Sequence, residues 1–190
     1  MSRLDVLNHR FEKYAPRTWA NASEGDVTVA FAVDFTTAGE KLTHKASGER
    51  YMGIELSMDR MNCNDALAAA RQLFRFVRNK DARVLNIAGN GIYTLAKYGL
   101  SQTATDRFVA SVLAKVHEHH PLKKVISGGQ TGVDLSGAVA GVFLGLHTQV
   151  LLPNGFIQRG VDKVDRRNSE EEIRMQITNG ANALQGRLLC

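Results

Sequence analysis

One short stretch of the chain combines the residue types of an anion-binding loop. Ser127-Gly128-Gly129-Gln130-Thr131-Gly132-Val133-Asp134 follows the apolar pair Val125 and Ile126 and precedes small and apolar residues that predict a helix over 133–146. Glycines let a backbone approach a phosphate closely, and the free N–H groups and dipole of a helix start favour negative charge. The stretch therefore predicts a phosphate-binding loop. A tight turn that needs glycine only for its geometry is the alternative.

Two further glycine loops follow predicted strands. Gly89-Asn90-Gly91 ends the apolar stretch 84–88, and Pro153-Asn154-Gly155 ends the stretch 148–152. The carboxyl ends of parallel strands lie on one edge of a sheet, where doubly wound folds bind their ligands. Three such loops together indicate a ligand of nucleotide size.

The residues of the first loop suggest different roles. Gly128, Gly129 and Thr131 could hold a phosphate through backbone N–H groups and one hydroxyl. Asp134 would repel a phosphate, so it suits a ribose hydroxyl or acid/base work at a glycosidic bond. The alternative for Asp134 is stabilisation of the helix start, worth about 0.3–1 kcal/mol.

Other polar residues near the loops have a functional and a structural interpretation. Asn90, Tyr93 and Tyr98 could contact a base or a ribose, or they could satisfy their own loop. A cluster of histidines stands at a predicted helix end beside Pro121, and helix capping is favoured there over metal binding: His117, His119 and His120. We therefore expect no metal site and no resident cofactor.

Two better-known phosphate motifs do not fit. A Walker A loop needs Lys-Ser or Lys-Thr after its last glycine, and Val133 follows Gly132. A dinucleotide fingerprint that opens at Gly89 needs glycine or alanine at position 94, which is Thr94. The sequence therefore favours neither an NTPase nor a dehydrogenase.

The elements that must position these loops alternate between strand and helix. Strands are predicted over 27–35, 51–56, 84–88, 124–127 and 148–152, and helices over 65–78, from 103 to about 117, over 133–146 and from 169 to about 178. Residues 1–25 are predicted to form an arm or a short helix, and 36–50 a loop or an exposed hairpin. Repeated βα units predict a Rossmann-like three-layer sandwich with a mostly parallel sheet. The N-terminal strands are expected to extend it.

The SGGQTGVD stretch, its small-residue helix and the Leu152-Pro153-Asn154-Gly155 loop together resemble the YpsA-like and molybdenum-carrier-like branch of the SLOG superfamily. The resemblance covers roughly 83–178 and leaves 1–80 as an extension with two strands and a helix, within a single domain of 1–190. It implies a ligand site at the three glycine loops, with Arg159 near the third. It also implies a nucleotide or a nucleotide-derived ligand, such as an ADP-ribose-like one, that is sensed or cleaved at its N-glycosidic bond.

The sequence departs from this superfamily at informative positions. Lonely Guy phosphoribohydrolases carry a proline-glycine-glycine loop and a later glutamate, whereas this chain has Ser127 and only Asp134. The carrier-like branch places basic residues after the third-loop proline, where Asn154 and Phe156 stand here. Asp134 is therefore expected to hold a ribose, with catalysis as the alternative role.

Composition limits the other function classes. The 190 residues are 44% hydrophobic with a net charge of +5, which fits one folded domain and an anionic partner. Single-stranded nucleic-acid binding, as in the related DNA-processing protein A family, is the alternative function, but the basic residues are dispersed and aromatic content is 7%. The third candidate function is that of a pure interaction module with an empty crevice. The start of the chain has no signal-peptide pattern and the apolar run 135–146 is too short to span a bilayer, so we expect a cytoplasmic protein without membrane contact.

Two further expectations concern association and thiols. Gly137, Gly141 and Gly145 form a stripe on the predicted helix 133–146. This stripe is interpreted as packing on the helix's own sheet, and a homodimer is expected from the family. Cys63 and Cys190 share no motif and predict no disulfide, with Cys63 as a buried apolar residue.

Overall fold

The computed structural model describes residues 3–190 and shows an α/β fold built on one all-parallel sheet of six strands. A separate antiparallel pair of two-residue strands follows the sheet. The strands are β1 (Leu4–Asn8), β2 (Val27–Ala32), β3 (Tyr51–Glu55), β4 (Val84–Gly89), β5 (Lys124–Ser127), β6 (His147–Leu152), β7 (Gln158–Arg159) and β8 (Asp165–Arg166).

Helices cover both faces of the sheet. They are α1 (Tyr14–Glu24), α2 (Ala38–Ser47), α3 (Cys63–Asn79), α4 (Ile92–Lys97), α5 (Gln102–His119), α6 (Val133–Phe143) and α7 (Glu170–Ala183). Helices α1 and α2 pack together on one face, while α3, α5, α6 and α7 form the layer on the other. The predicted Rossmann-like three-layer sandwich is confirmed. No helix within residues 3–190 is long and apolar enough to cross a membrane.

The strand order is β1-β6-β5-β4-β2-β3. From β2 the chain first adds β3 on one side and then returns to add β4 on the other side of β2. The topological switch point therefore lies between the carboxyl ends of β2 and β4, where parallel α/β sheets open a crevice.

The first 80 residues contribute one internal strand of the sheet as well as both of its edge strands. All six residues of β2 are buried, as expected for a strand flanked on both sides and covered on both faces. A strand that the sequence did not predict, β1, pairs with β6 at the opposite edge, with Leu4 beside Thr148. The N-terminal strands extend the sheet, as expected.

The prediction of a loop or hairpin over 36–50 is wrong, because this stretch contains α2. Thr37 caps the helix and accepts a hydrogen bond from the Glu40 N–H. The residues that α2 buries are polar, Glu40, Thr43 and Ser47, so the stretch lacks the apolar period that reveals a helix. The expected helices are present elsewhere, together with the unpredicted short helix α4.

Two glycine positions in the helices have a packing explanation. A Cβ at Gly137 would lie 2.6 Å from Ile87, and one at Gly141 would lie 2.5 Å from Thr148. The interpretation that α6 packs closely on its own sheet is confirmed for both. Helix α7 begins with the predicted capping box of Ser169 and continues past its expected stop at 179–180, since Gly180 packs against α6.

Candidate functional site

A cavity of about 400 Å³ opens at the switch point between β2 and β4. Its walls come from α1, from the start of α2, from the loops after β4 and β5, and from β7. Nine of the predicted site residues line it: Gly89, Asn90, Gly91, Tyr93, Gly128, Gln130, Thr131, Asp134 and Arg159. The first two glycine loops thus lie together, as expected from a parallel sheet.

The third glycine loop does not reach the cavity. Asn154 N–H donates to the Phe11 carbonyl at 2.9 Å, and Gly155 N–H donates to Asn8 Oδ1 at 3.0 Å. These bonds tie the loop to β1, because β6 and β1 are neighbours at the far edge of the sheet. Pro153, Asn154 and Gly155 therefore serve the edge of the sheet in this structure. Tyr98 is also outside the cavity and 52% exposed.

Several N–H groups of the SGGQTGVD loop already have acceptors within the protein. Gly129 N–H donates to Ser127 Oγ at 3.0 Å, and Gly132 N–H donates to Gln102 Oε1 at 2.6 Å. The Gln130 N–H is directed to the Asp134 carboxylate. A phosphate at this loop would have to displace these acceptors.

The space above Gly128 is filled by a side chain from another part of the chain. A Cβ built on Gly128 would lie 1.2 Å from Nη1 of Arg17 and 2.2 Å from Oδ2 of Asp134. Glycine is therefore required here because the guanidinium crosses the loop backbone. This is a close-approach role that the motif alone did not reveal.

Arg17 and Asp134 form a buried ion pair. Arg17 Nη1 lies 2.9 Å from Asp134 Oδ2, and each residue is 7% exposed. Burial raises the pKa of the Asp134 carboxyl, while Arg17 and the N–H groups of Gly89 and Gln130 lower it by bonding the charged form. Asp134 thus connects α1 to the loops after β4 and β5, so part of its role is structural.

The guanidinium of Arg17 makes fewer hydrogen bonds than its N–H groups allow. Within residues 3–190, its side chain donates one hydrogen bond, to Asp134, and its buried Nε has no acceptor. Another buried atom on the cavity wall, Asn21 Oδ1, has no donor within the same residues. Buried polar atoms without partners are rare, and an ordered water or an ion is a common explanation for them.

A second carboxyl group, Glu40, lies in the cavity wall near Asp134. Glu40 is 2% exposed, and no ion pair to it is found within the described part of the chain. Its one side-chain partner there is the Tyr51 hydroxyl, which donates at 3.4 Å. Burial and then the negative charge of Asp134 raise the pKa of Glu40 to about 7. A buried glutamate without a cation is uncommon and marks a functional candidate.

Sequence reasoning missed Arg17 and Glu40. Both lie in the first 80 residues, and Arg17 is 117 positions from its partner Asp134. The stretch that holds Glu40 was predicted as a loop, so no pattern assigned its side chain to a face. The cap sequence Thr37-Ala38-Gly39-Glu40 was the one available signal.

Asn90 supports the backbone around the switch point. Its Oδ1 accepts hydrogen bonds from the N–H groups of Val33 and Asp34, both at 2.9 Å. Its Nδ2 donates to the Asp34 carbonyl at 3.0 Å. The Asn90 amide thus fixes the loop between β2 and α2, not its own loop, and Asn90 also lines the cavity.

Arg159 lines the cavity but carries a compensated charge. Its Nε and Nη2 donate to the two oxygens of Asp165 at 2.7 and 2.9 Å. Asp165 also accepts from the Tyr14 hydroxyl at 2.8 Å, and the guanidinium lies 5.3 Å from the centre of the Tyr14 ring. The β7–β8 hairpin thereby holds one side of the cavity mouth against α1.

The histidines and cysteines lie outside the cavity. His117 Nδ1 accepts from the Leu122 N–H at 3.0 Å, and His120 Nε2 lies 2.8 Å from the Ala82 carbonyl, so two of the three histidines serve the backbone at the end of α5. Cys63 was expected to be buried and is half-buried. The Sγ of Cys190 lies 3.7 Å from the carbonyl oxygen of Cys63.

Comparison with known proteins adds no relative to this description. No protein-family model matches the chain, and no curated protein matches it. The functional argument therefore depends on the cavity and its side chains.

Proposed function

We propose that the cavity binds a nucleotide or a nucleotide-derived ligand and that Glu40 and Asp134 equip it to hydrolyse an N-glycosidic bond. The observation that carries this proposal is the buried Glu40, which has no cationic partner among residues 3–190 and lines the same cavity as the Arg17–Asp134 pair. Two carboxyl groups in unlike environments are the usual equipment for acid/base chemistry at a glycosidic carbon.

The size, position and walls of the cavity support the ligand class. Its volume of about 400 Å³ lies in the range of small-molecule sites, and its position at a switch point is where α/β sheets bind nucleotides. Tyr93 offers an aromatic face for a base, whereas the Tyr14 ring already lies beside the guanidinium groups of Arg17 and Arg159. Within residues 3–190 the Arg17 guanidinium donates one hydrogen bond, so it has further N–H groups for a ligand that carries acceptors.

The two carboxyl groups divide the chemistry between them. Glu40, whose pKa is about 7, is available as the neutral acid near neutral pH and would give its proton to the departing base. The C1′–N bond electrons leave with the base while a water oxygen bonds to C1′. The proton of that water passes to Asp134, because burial raises the pKa of this carboxyl and so strengthens it as a base, although Arg17 and two backbone N–H groups oppose the rise.

The test combines calorimetry with a base-release assay on AMP, ADP-ribose and NAD. Glu40→Gln should leave affinity within about threefold and lower base release about 10²–10⁴-fold, because it removes the proton donor but keeps the shape. Glu49→Gln, an exposed glutamate in the turn after α2, is the matched control and should change neither. Wild type that binds none of the three probes would refute the proposal, and equal base release by Glu40→Gln would refute the acid role.

Asp134→Asn separates binding from catalysis at the second carboxyl. If Asp134 holds the ribose, affinity should fall by about 1–3 kcal/mol because a charge-assisted hydrogen bond is lost. If it accepts the proton of water, affinity should persist while turnover falls about 10²–10⁴-fold. An asparagine variant with unchanged affinity and unchanged turnover would leave Asp134 with its structural bonds alone.

A further inference from the structure

The start of α2 presents two unused backbone donors to the cavity. The N–H groups of Ala38 and Gly39 have no acceptor within residues 3–190, since the first intrahelical bonds of α2 begin with later N–H groups. Both residues line the cavity, and a Cβ added to Gly39 would meet no atom of residues 3–190 within 4 Å. The space beside this helix start is therefore open.

The N-terminus of α6, which the sequence predicts as the phosphate site, differs from that of α2 because N–H groups there already have acceptors. At α6, Gly132 N–H donates to Gln102 Oε1 and Val133 N–H donates to the Asn90 carbonyl. The space over its glycine loop is filled by the guanidinium of Arg17. Of the two helix starts, α2 has the free donors and the room.

Arg17 supplies the second observation, independent of the helix start. Arg17 is only 7% exposed and lines the same cavity, and within residues 3–190 its guanidinium donates a single hydrogen bond, from Nη1. Helix α1, which carries it, packs directly against α2. Asp134 occupies Nη1 and fixes the plane of the guanidinium, so the remaining N–H groups are preorganised for an oxyanion.

We propose that a phosphate group of the ligand binds between the N-terminus of α2 and the guanidinium of Arg17, and not in the SGGQTGVD loop. This assignment rests on the proposed function for the identity of the ligand. The phosphate oxygens accept from Ala38 N–H, Gly39 N–H and Arg17. The Thr37 hydroxyl, whose oxygen accepts from Glu40 N–H, has its own proton free to donate as well.

Binding of a phosphate between the N-terminus of α2 and Arg17 requires Glu40 to be neutral. Arg17 already balances Asp134, so an ionised Glu40 beside a phosphate would be uncompensated. The titratable groups that act on Glu40 are Asp134 of α6, Tyr51 of β3 and Asp34 of the loop before α2. Arg17 of α1 lines the same cavity, and the His44 ring of α2 lies 4.4 Å from the ring of Tyr51. Phosphate binding is therefore coupled to retention of the Glu40 proton.

The test uses two substitutions at Gly39 that differ by one charge. Gly39→Asp and Gly39→Asn both fit the open space, and aspartate in the first turn of a helix favours folding. Gly39→Asp should weaken AMP binding at least tenfold and leave adenosine unchanged, because the carboxylate repels only the phosphate. Gly39→Asn adds similar bulk without the charge and should change the affinities for AMP and adenosine by the same factor. Equal weakening of AMP and adenosine by Gly39→Asp, or AMP binding by Gly39→Asp at the wild-type level, would overturn the assignment.

Inorganic phosphate separates this assignment from the proposed function. In ¹H–¹⁵N spectra of wild type, phosphate should shift the amides of Ala38 and Gly39 and leave those of Gly129 and Gly132 in place. If phosphate produces these shifts but no nucleotide binds, the phosphate site stands and the proposed function fails. If AMP binds no better than adenosine and phosphate shifts neither α2 amide, the phosphate site fails while nucleotide binding stands.

Discussion

Replacement of Glu40 by glutamine should stabilise the protein at neutral pH. The pKa of Glu40 rises from an ordinary 4.5 to about 7 on folding, because burial and the charge of Asp134 disfavour the ionised form. Each pKa unit corresponds to about 1.4 kcal/mol, so ionisation of this group costs the folded state about 3 kcal/mol. Glutamine keeps the shape and an acceptor for the Tyr51 hydroxyl but never ionises.

The sign of the stability change in Glu40→Gln follows from the protonation of Glu40 in the folded and unfolded chain. Below pH 4.5 the carboxyl is protonated in both the folded and the unfolded chain, so wild type and Glu40→Gln should have similar free energies of unfolding. Between pH 4.5 and about 7 the unfolded chain releases the proton first, and wild type loses stability. Above pH 7 the difference should remain constant at about 3 kcal/mol in favour of the variant.

Urea unfolding at pH 4.5, 6 and 8 measures the difference directly, and thermal unfolding should show a rise in Tm of about 6–12 °C at pH 8 for a chain of this size. Glu49→Gln, at an exposed position, is the control and should show no trend with pH. A stability difference between wild type and Glu40→Gln that does not grow from pH 4.5 to pH 8 would refute the reasoning.

The packing and thiol contacts give further predictions. Gly128→Ala should destabilise the fold by at least about 3 kcal/mol, because the new Cβ expels the Arg17 guanidinium and leaves a buried charge unpaired; Gly39→Ala, in open space, should cost almost nothing in denaturant unfolding. Mild oxidation with diamide should link Cys63 and Cys190 within one chain, seen as a loss of two hydrogens by mass spectrometry; two thiols that remain alkylatable after oxidation would contradict this. A homodimer is expected, and a mass near 20.9 kDa at all concentrations in light scattering would reject it.

The sequence predicted the fold well where local signals agree with tertiary structure. The strands 84–88 and 124–127 differ by at most one residue from β4 and β5, because apolar runs bounded by glycine have few other structures open to them. The capping box at Ser169 correctly placed the start of α7. Helix α2 was missed because its buried side chains are polar.

The candidate site was predicted in part, for a reason that follows from distance along the chain. Glycine loops are visible in the local sequence, so all three were predicted to lie on one edge, and two of them meet at the cavity. The function of Gly128 could not be foreseen, because it depends on Arg17, more than a hundred positions earlier. Long-range contacts of single charged residues leave no periodic pattern in one sequence.

The passage of Arg17 over Gly128 also constrains how this protein can be divided or can vary. The segment 83–178, which carries the recognisable motif, cannot be excised as an independent module, because its Asp134 would lose its counter-ion and its loop would lose the group that covers it. In natural variants we expect positions 17, 128 and 134 to change together: a larger residue at 128 requires a shorter one at 17, and then a neutral one at 134. Although these three positions are far apart in the sequence, we therefore expect them to covary.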